Sequence, residues 1–184
     1  MQKNSIPYWY WESEIPPEFC NLIVKYGKKE ELQAAKVGMG VNGALVESVR
    51  KSKIAFLNPD KFGWIYSMLW AYMMKANANS GWNFTITGQQ SPQFTIYDES
   101  FFYDFHEDAS DHEEGMRKLS LVVFLSNPKN YSGGKFEFRN SGTPETNKQG
   151  SILVFPSFLM HRVTPVTEGT RYSLVNWFTG PALV

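Results

Sequence analysis

Apolar residues recur along this chain of 184 residues with two different spacings. From residue 14 to about 77 the spacing is helical. In EFCNLIVKYGKK, Phe19, Leu22, Ile23 and Tyr26 fall on one face, behind Pro16-Pro17 and ahead of Gly27. Proline suits the first turn of a helix and glycine its end, so the pattern predicts a helix over 16–27. In KFGWIYSMLWAYMMKANA, Phe62, Ile65, Leu69, Tyr72 and Met73 form one broad stripe, and Asn58-Pro59-Asp60 reads as turn and cap. That predicts a second helix over 61–77, packed on something flat and apolar. VRKSKIAFL, residues 49–57, alternates loosely and reads as a strand.

From Trp82 onward the period is two. WNFTITG, QFTIYDE, FFYDFHEDA, LSLVVFLS, GKFEFRN, SILVFPS and RYSLVNWF each read as a short strand. Gly88, Asn127-Pro128, Gly133-Gly134, Ser141-Gly142-Thr143-Pro144 and Gly169 supply the turns. Many short antiparallel strands with such turns suggest a barrel or a double-sheet jelly roll, with the helices buttressing one sheet. The expectation is a mainly β protein with flanking helices. It takes 1–184 as a single domain, with 1–80 a mostly helical buttress and 82–178 the jelly-roll core.

Hydrophobic residues make up 42% of the chain and aromatics 16%, enough for a sizeable core, which excludes a disordered tail or a coiled coil. Eighteen basic residues balance eighteen acidic ones, so neither nucleic acid nor an anionic membrane is an expected partner. The richest apolar run, Trp64 to Met74, falls short of the roughly 18 residues that span a bilayer. The first residues have no apolar stretch followed by a small-residue cleavage site, and an intracellular, cytoplasmic location is expected. Cys20 is the only cysteine, which fits a reducing compartment and excludes a cysteine-based zinc site.

The candidate chemistry lies in three histidines, His106, His112 and His161. On a strand, residues two apart share a face at about 6 to 7 Å, so Asp104, His106 and Asp108 are expected to point one way. A histidine and an aspartate converging from one strand can grip a single cation. The competing reading is a solvated acidic turn, since Glu107, Asp111, Glu113 and Glu114 lie close by. His161 follows the apolar strand SILVFPSFLM and terminates it. Two histidines and one aspartate make a facial triad, which leaves half of an octahedral iron shell open. Without a metal, His161 is a core or edge histidine bonded to backbone. His112, in the acidic loop, is assigned to the surface rather than to the metal. Arg171 opens an apolar strand, where an arginine is costly unless it meets an anion. Its guanidinium fork suits a carboxylate, and its structural alternative is an ion pair with Glu137. The YWYW run at 8–11 is read mainly as packing, and the glycines of GMGVNG, 38–43, as a loop at the mouth of the site.

Taken together, QFTIYDESFFYDFHED, RKLSLVVFLSNPKNYSGGKFEF and GSILVFPSFLMHRVTPVTEGTRYSLVNWF resemble the iron(II)- and 2-oxoglutarate-dependent dioxygenases of the prolyl 4-hydroxylase-like branch. The resemblance covers about residues 93–178. It implies a double-stranded β-helix in which His106, Asp108 and His161 bind Fe(II) and Arg171 pairs with the distal carboxylate of 2-oxoglutarate. Tyr97 would bond or line the co-substrate pocket, Tyr103 would flank the metal strand, and Trp177 would wall the site. The implied cofactors are Fe(II), 2-oxoglutarate and O2, with ascorbate a candidate reductant. The implied reaction is hydroxylation of a prolyl residue in a peptide or protein, coupled to decarboxylation of 2-oxoglutarate to succinate and CO2. The alternatives are a hydroxylase of a free amino acid or other small molecule, and a non-catalytic jelly-roll binding module. At Phe124 several members of the family have a tyrosine that reaches the distal carboxylate, and Ser120, Thr164 or Ser173 are the candidate replacements.

Overall fold

The computed structural model describes residues 7–36, 44–109 and 116–181. The 38–43 loop and His112 lie outside the described residues. Two helices form where the 3.6-residue stripe was found. Helix α1, Pro17–Gly27, starts with proline in its first turn, and the backbone N–H of its cap residue Lys28 returns to Val24 and Tyr26. Helix α2, Pro59–Asn79, is capped by the Asn58 side chain, which accepts from the Asp60 N–H at 2.8 Å.

The strands are β1 (Trp9–Trp11), β2 (Gln33–Ala34), β3 (Arg50–Lys51), β4 (Lys53–Phe56), β5 (Gly88–Gln89), β6 (Gln93–Tyr97) and β7 (Phe102–His106). There follow β8 (Met116–Phe124), β9 (Tyr131–Gly133), β10 (Phe136–Phe138), β11 (Ile152–Pro156), β12 (His161–Val163), β13 (Val166–Gly169) and β14 (Arg171–Gly180). Among the described residues a large sheet runs β1-β11-β8-β14-β6-β4-β2, with β5 also on β14, and a smaller one runs β10-β12-β7-β3. Every one of these pairings is antiparallel, as the short strands and turns predicted. The two sheets face each other as a jelly roll.

Period-two alternation gives the large sheet two apolar faces. Leu119, Leu121 and Val123 of β8, with Phe94, Ile152, Val154, Leu174 and Phe178, pack under Ile23 of α1 and Ile65, Leu69 and Met73 of α2. The helices thus buttress the outer face of this sheet. Val122 and Phe124, on the opposite face of β8, join Tyr97, Leu153, Phe155, Phe136 and Phe138 between the sheets.

The structure corrects four local expectations. The first eighty residues are less helical than their stripes implied, because they also deliver β1 through β4 to the sheets. VRKSKIAFL is not one strand: it breaks at Ser52, sending Arg50–Lys51 to the small sheet and Lys53–Phe56 to the large one. WNFTITG has strand structure only from Gly88, because the Asn77 side chain takes the place of a ladder and bonds both the N–H and the carbonyl of Phe84. His161 does not end the SILVFPS strand but opens β12 after a turn. The short β12 and β13 follow Ser157–Met160 too closely for a periodic signal to develop.

Candidate active site

His106 ends β7 and His161 begins β12, and the two are register partners across the small sheet. Their imidazole Nδ1 atoms pair with the backbone carbonyls of Asp104 and Leu159, each at 2.8 Å. With Nδ1 donating to a carbonyl, each ring is held with Nε2 turned to the interior. Asp108 lies just beyond β7, where its backbone N–H and that of Ala109 both bond the Ser157 carbonyl at 2.9 Å. Its Oδ1 is 3.7 Å from His106 Nε2, and its Oδ2 is 3.5 Å from His161 Nε2. The three donor atoms lie within 4.8 Å of one another.

Burial, and then the neighbouring His161, press the His106 pKa from its ordinary 6.5 down to about 3. The imidazole is therefore neutral at physiological pH, and its approach to Asp108 is not an ion pair. Burial opposes ionisation of Asp108. The imidazoles of His161 and His106, the Trp177 indole N–H and the Arg117 charge outweigh it and hold the carboxyl below its usual range. Two imidazoles and one carboxylate form a donor set that fits Fe(II). Ser120 Oγ donates to Asp108 Oδ2 at 2.8 Å and is itself 2.9 Å from Ser157 Oγ, so the carboxylate is oriented from behind.

A β-bulge shapes the next wall. Across from the two-residue step His161–Val163, β7 spends three residues, Tyr103 to His106. Tyr103 thereby lands on the same face as His106, and the rings stack with centroids 3.4 Å apart. Asp104, expected on that face, is exposed and uses its side chain on the Phe105 N–H at 2.7 Å.

Arg171 opens β14 opposite Tyr97 of β6 and is only 2% exposed. Its guanidinium lies 5.4 Å from the Tyr97 ring centre and 5.6 Å from that of Phe124. Nη1 reaches Ser173 Oγ at 3.3 Å, while Nη2 is buried with no partner among the described residues. Glu137, its alternative partner in the sequence, is taken by Arg162 at 2.7 Å instead. A buried, half-satisfied guanidinium in the same cavity as the triad fits the carboxylate of a co-substrate. Of the three hydroxyls weighed against Phe124, Ser173 lies beside Arg171, Ser120 is held by Asp108, and Thr164 accepts from the Lys135 N–H. Gly134, at φ 56°, lies under this arginine, and a Cβ there would stand 2.9 Å from Arg171 Cδ.

The cavity holding these residues has a volume of about 620 Å³ and reaches the surface beside Gln33, Ala34 and Phe56. Tyr97, Tyr103 and Trp177 line it. Sequence reasoning singled out neither Arg50 nor Arg117 as a pocket residue. Both line the cavity, Arg50 stacked on Tyr103 at 4.4 Å and Arg117 on Trp177 at 3.9 Å. The available signal was a charge at the start of an apolar strand in both RKSKIAF and RKLSLVVF.

Residues 92–179 match the family model of the 2OG-Fe(II) oxygenase superfamily. More narrowly, a PKHD-type hydroxylase of Synechococcus sp. (strain JA-2-3B'a(2-13)) is 34% identical over 89 residues, which are 45% of this chain and 40% of that protein. One from Hyphomonas neptunium is 44% identical over 61 residues, 32% of this chain and 27% of that protein. The matches thus span less than half the length of these relatives. Among solved structures, a Pseudomonas putida prolyl-4-hydroxylase superposes with a TM-score of 0.75 at 20% identity, over 95% of this chain and 93% of that one. A Trichoplax adhaerens prolyl hydroxylase, solved with a hypoxia inducible factor peptide fragment, gives 0.76 at 18% identity, over 97% and 86%. These two share the fold. No helix among the described residues is long and apolar enough to cross a membrane.

Proposed function

We propose that the chain is an Fe(II)- and 2-oxoglutarate-dependent hydroxylase acting on a prolyl residue of a peptide or protein. The observation that carries this reading is the convergence of His106, Asp108 and His161 in one cavity with the half-satisfied guanidinium of Arg171. The names of the curated relatives and the fold shared with prolyl hydroxylases support it. In the overall reaction a substrate C–H becomes C–OH with one atom of O2. The other atom enters succinate as 2-oxoglutarate loses CO2.

The bound iron and co-substrate supply the oxidising chemistry. This chain's residues position and enclose it. His106 and His161 present Nε2 because their Nδ1 atoms are tied to backbone, and Ser120 fixes the Asp108 carboxylate. Arg171, Tyr97 and Ser173 receive the distal carboxylate of 2-oxoglutarate. Tyr103 and Trp177 wall the metal side and exclude water, with ascorbate a candidate reductant. A surface-reaching cavity suits a peptide better than a sealed one would. A non-catalytic binding module gives no account of the triad and the arginine sharing one cavity.

The test is anaerobic titration of Fe(II) and then 2-oxoglutarate, followed by proline peptides under O2 with mass spectrometry. Tight, sequential binding and a mass gain of one oxygen on proline are expected. No 2-oxoglutarate binding by the Fe(II) form would overturn the reading. Oxidation of free amino acids but of no peptide would move it to the small-molecule alternative.

A further inference from the structure

Three arginines line the cavity, and the reading above uses one. The other two, Arg50 and Arg117, come from different sheets, yet they are built alike. Each is anchored through Nε alone, Arg50 to Ser52 Oγ at 3.0 Å and Arg117 to Gln90 Oε1 at 2.8 Å. Each lays its guanidinium on an aromatic ring of the metal side, Tyr103 and Trp177 respectively. In both, the terminal nitrogens have no hydrogen-bond or carboxylate partner among the described residues. Arg162, by contrast, closes on Glu137 through both Nε and Nη2.

Such an arrangement is costly when empty. Arg50 is 8% exposed. Burial presses the Arg117 guanidinium below its usual range, the Asp108 charge opposes this, and Arg50 adds repulsion. Asp108 is committed elsewhere. With Fe(II) and 2-oxoglutarate bound, the charges of the metal, Asp108, Arg171 and the co-substrate dianion cancel. The exposed Lys36 and Glu107 at the rim also cancel. Among the described residues, the buried Arg50 and the half-buried Arg117 remain as two positive charges with their forks open, which is how a protein prepares a site for an oxyanion.

We propose that Arg50 and Arg117 form a second anion clamp on the substrate side of the triad, and that the substrate presents a carboxylate to it. This deepens the prolyl-hydroxylase reading and rests on it for the identity of the oxidised residue. The carboxylate has two sources. One is an acidic side chain flanking the target proline. The other is the α-carboxylate of a terminal or free proline. The clamp reads the same chemistry in both.

The experiment uses the whole chain in its Mn(II)·2-oxoglutarate form for binding and its Fe(II) form for turnover. The probes are capped proline peptides carrying Glu at each of the two positions on either side of the proline, their Gln counterparts, and L-proline against L-prolinamide. A charge-assisted bond lost from a partly desolvated site corresponds to a preference of about tenfold or more for the acidic member of at least one pair. That preference should fall to near unity in Arg50→Gln and Arg117→Gln and be largely retained in Arg117→Lys. The 2-oxoglutarate affinity should hold in all three, and Fe(II) affinity in Arg50→Gln and Arg117→Lys, which keep the positive charge near Asp108. The pair that shows the preference names the source. Equal binding of Glu and Gln peptides, together with equal binding of L-proline and L-prolinamide, overturns the clamp using wild-type protein alone. So does a preference that survives both glutamine variants. Charge-selective binding without oxidation of any proline leaves the clamp standing and removes the prolyl reading, whereas proline oxidation without charge preference does the reverse.

Discussion

The two faces of the large sheet are made by the same strands and follow opposite rules. Toward the helices, Leu119, Leu121, Val123, Leu174 and Phe178 are fully buried among apolar neighbours. Toward the small sheet, the same strands offer Ser120, Arg171, Ser173 and Trp177. Residues adjacent in sequence therefore differ in purpose. One face packs the sheet against α1 and α2, and the other turns buried polar groups into the cavity that holds His106, Asp108 and His161. Stability and chemistry are separated by one residue of register.

Four measurements sharpen or break this contrast. The largest effect is expected from His161→Ala, which should abolish Fe(II) binding and turnover while circular dichroism still reports the folded protein. Global unfolding of the variant would mean that His161 belongs with the structural face. Next, Arg171→Ala should weaken 2-oxoglutarate binding by roughly two orders of magnitude or more, since stranding a buried charge costs about 3 to 5 kcal/mol. Calorimetry of the Fe(II) form measures this, and Fe(II) affinity alone should barely change.

The third measurement sets neighbours on β8 against each other. Leu121→Ala, facing the helices, should cost about 2 to 5 kcal/mol in denaturant unfolding and leave metal affinity intact. Ser120→Ala should do the opposite, weakening Mn(II) binding by about 10- to 100-fold through a loosened Asp108, with little loss of stability. Equal stability losses would erase the distinction between the faces.

The smallest effect is on pH. The unfolded chain protonates His106 near its ordinary 6.5, whereas the folded chain resists until about 3. The stability this lends is complete above pH 6.5 and drains away as pH falls toward 3. The apparent Tm of metal-free protein should decline over that interval, and His106→Gln should flatten part of the decline. An unchanged slope would place the acid sensitivity elsewhere.

Much of this organisation was legible in the sequence wherever a pattern ran long enough. LSLVVFLS and RYSLVNWF are eight-residue stretches rich in β-branched and aromatic residues, and they fall largely within β8 and β14. The stripe from Phe62 to Met73 became the buried face of α2. His106, Asp108 and His161 were legible because HxD followed by a distant histidine and an arginine ten residues further on is a joint pattern. What stayed hidden was non-local. The split of VRKSKIAFL at Ser52 depends on two sheets competing for one segment. The replacement of a ladder by Asn77 around Phe84 depends on a side chain from a helix. Arg50 and Arg117 meet only because strands from opposite sheets close the cavity.

The extra residue in β7 works as a phase shifter. Before it the strand counts inward positions in one parity, through Tyr103, and after it in the other, through His106. A substitution there changes one side chain, but a deletion resets the count. Removing Phe105 would make the strand regular and leave the imidazole two residues after Tyr103, still on the inner face; what would be lost is the outward ring that Arg139 and Arg162 now cover at 4.8 and 4.6 Å.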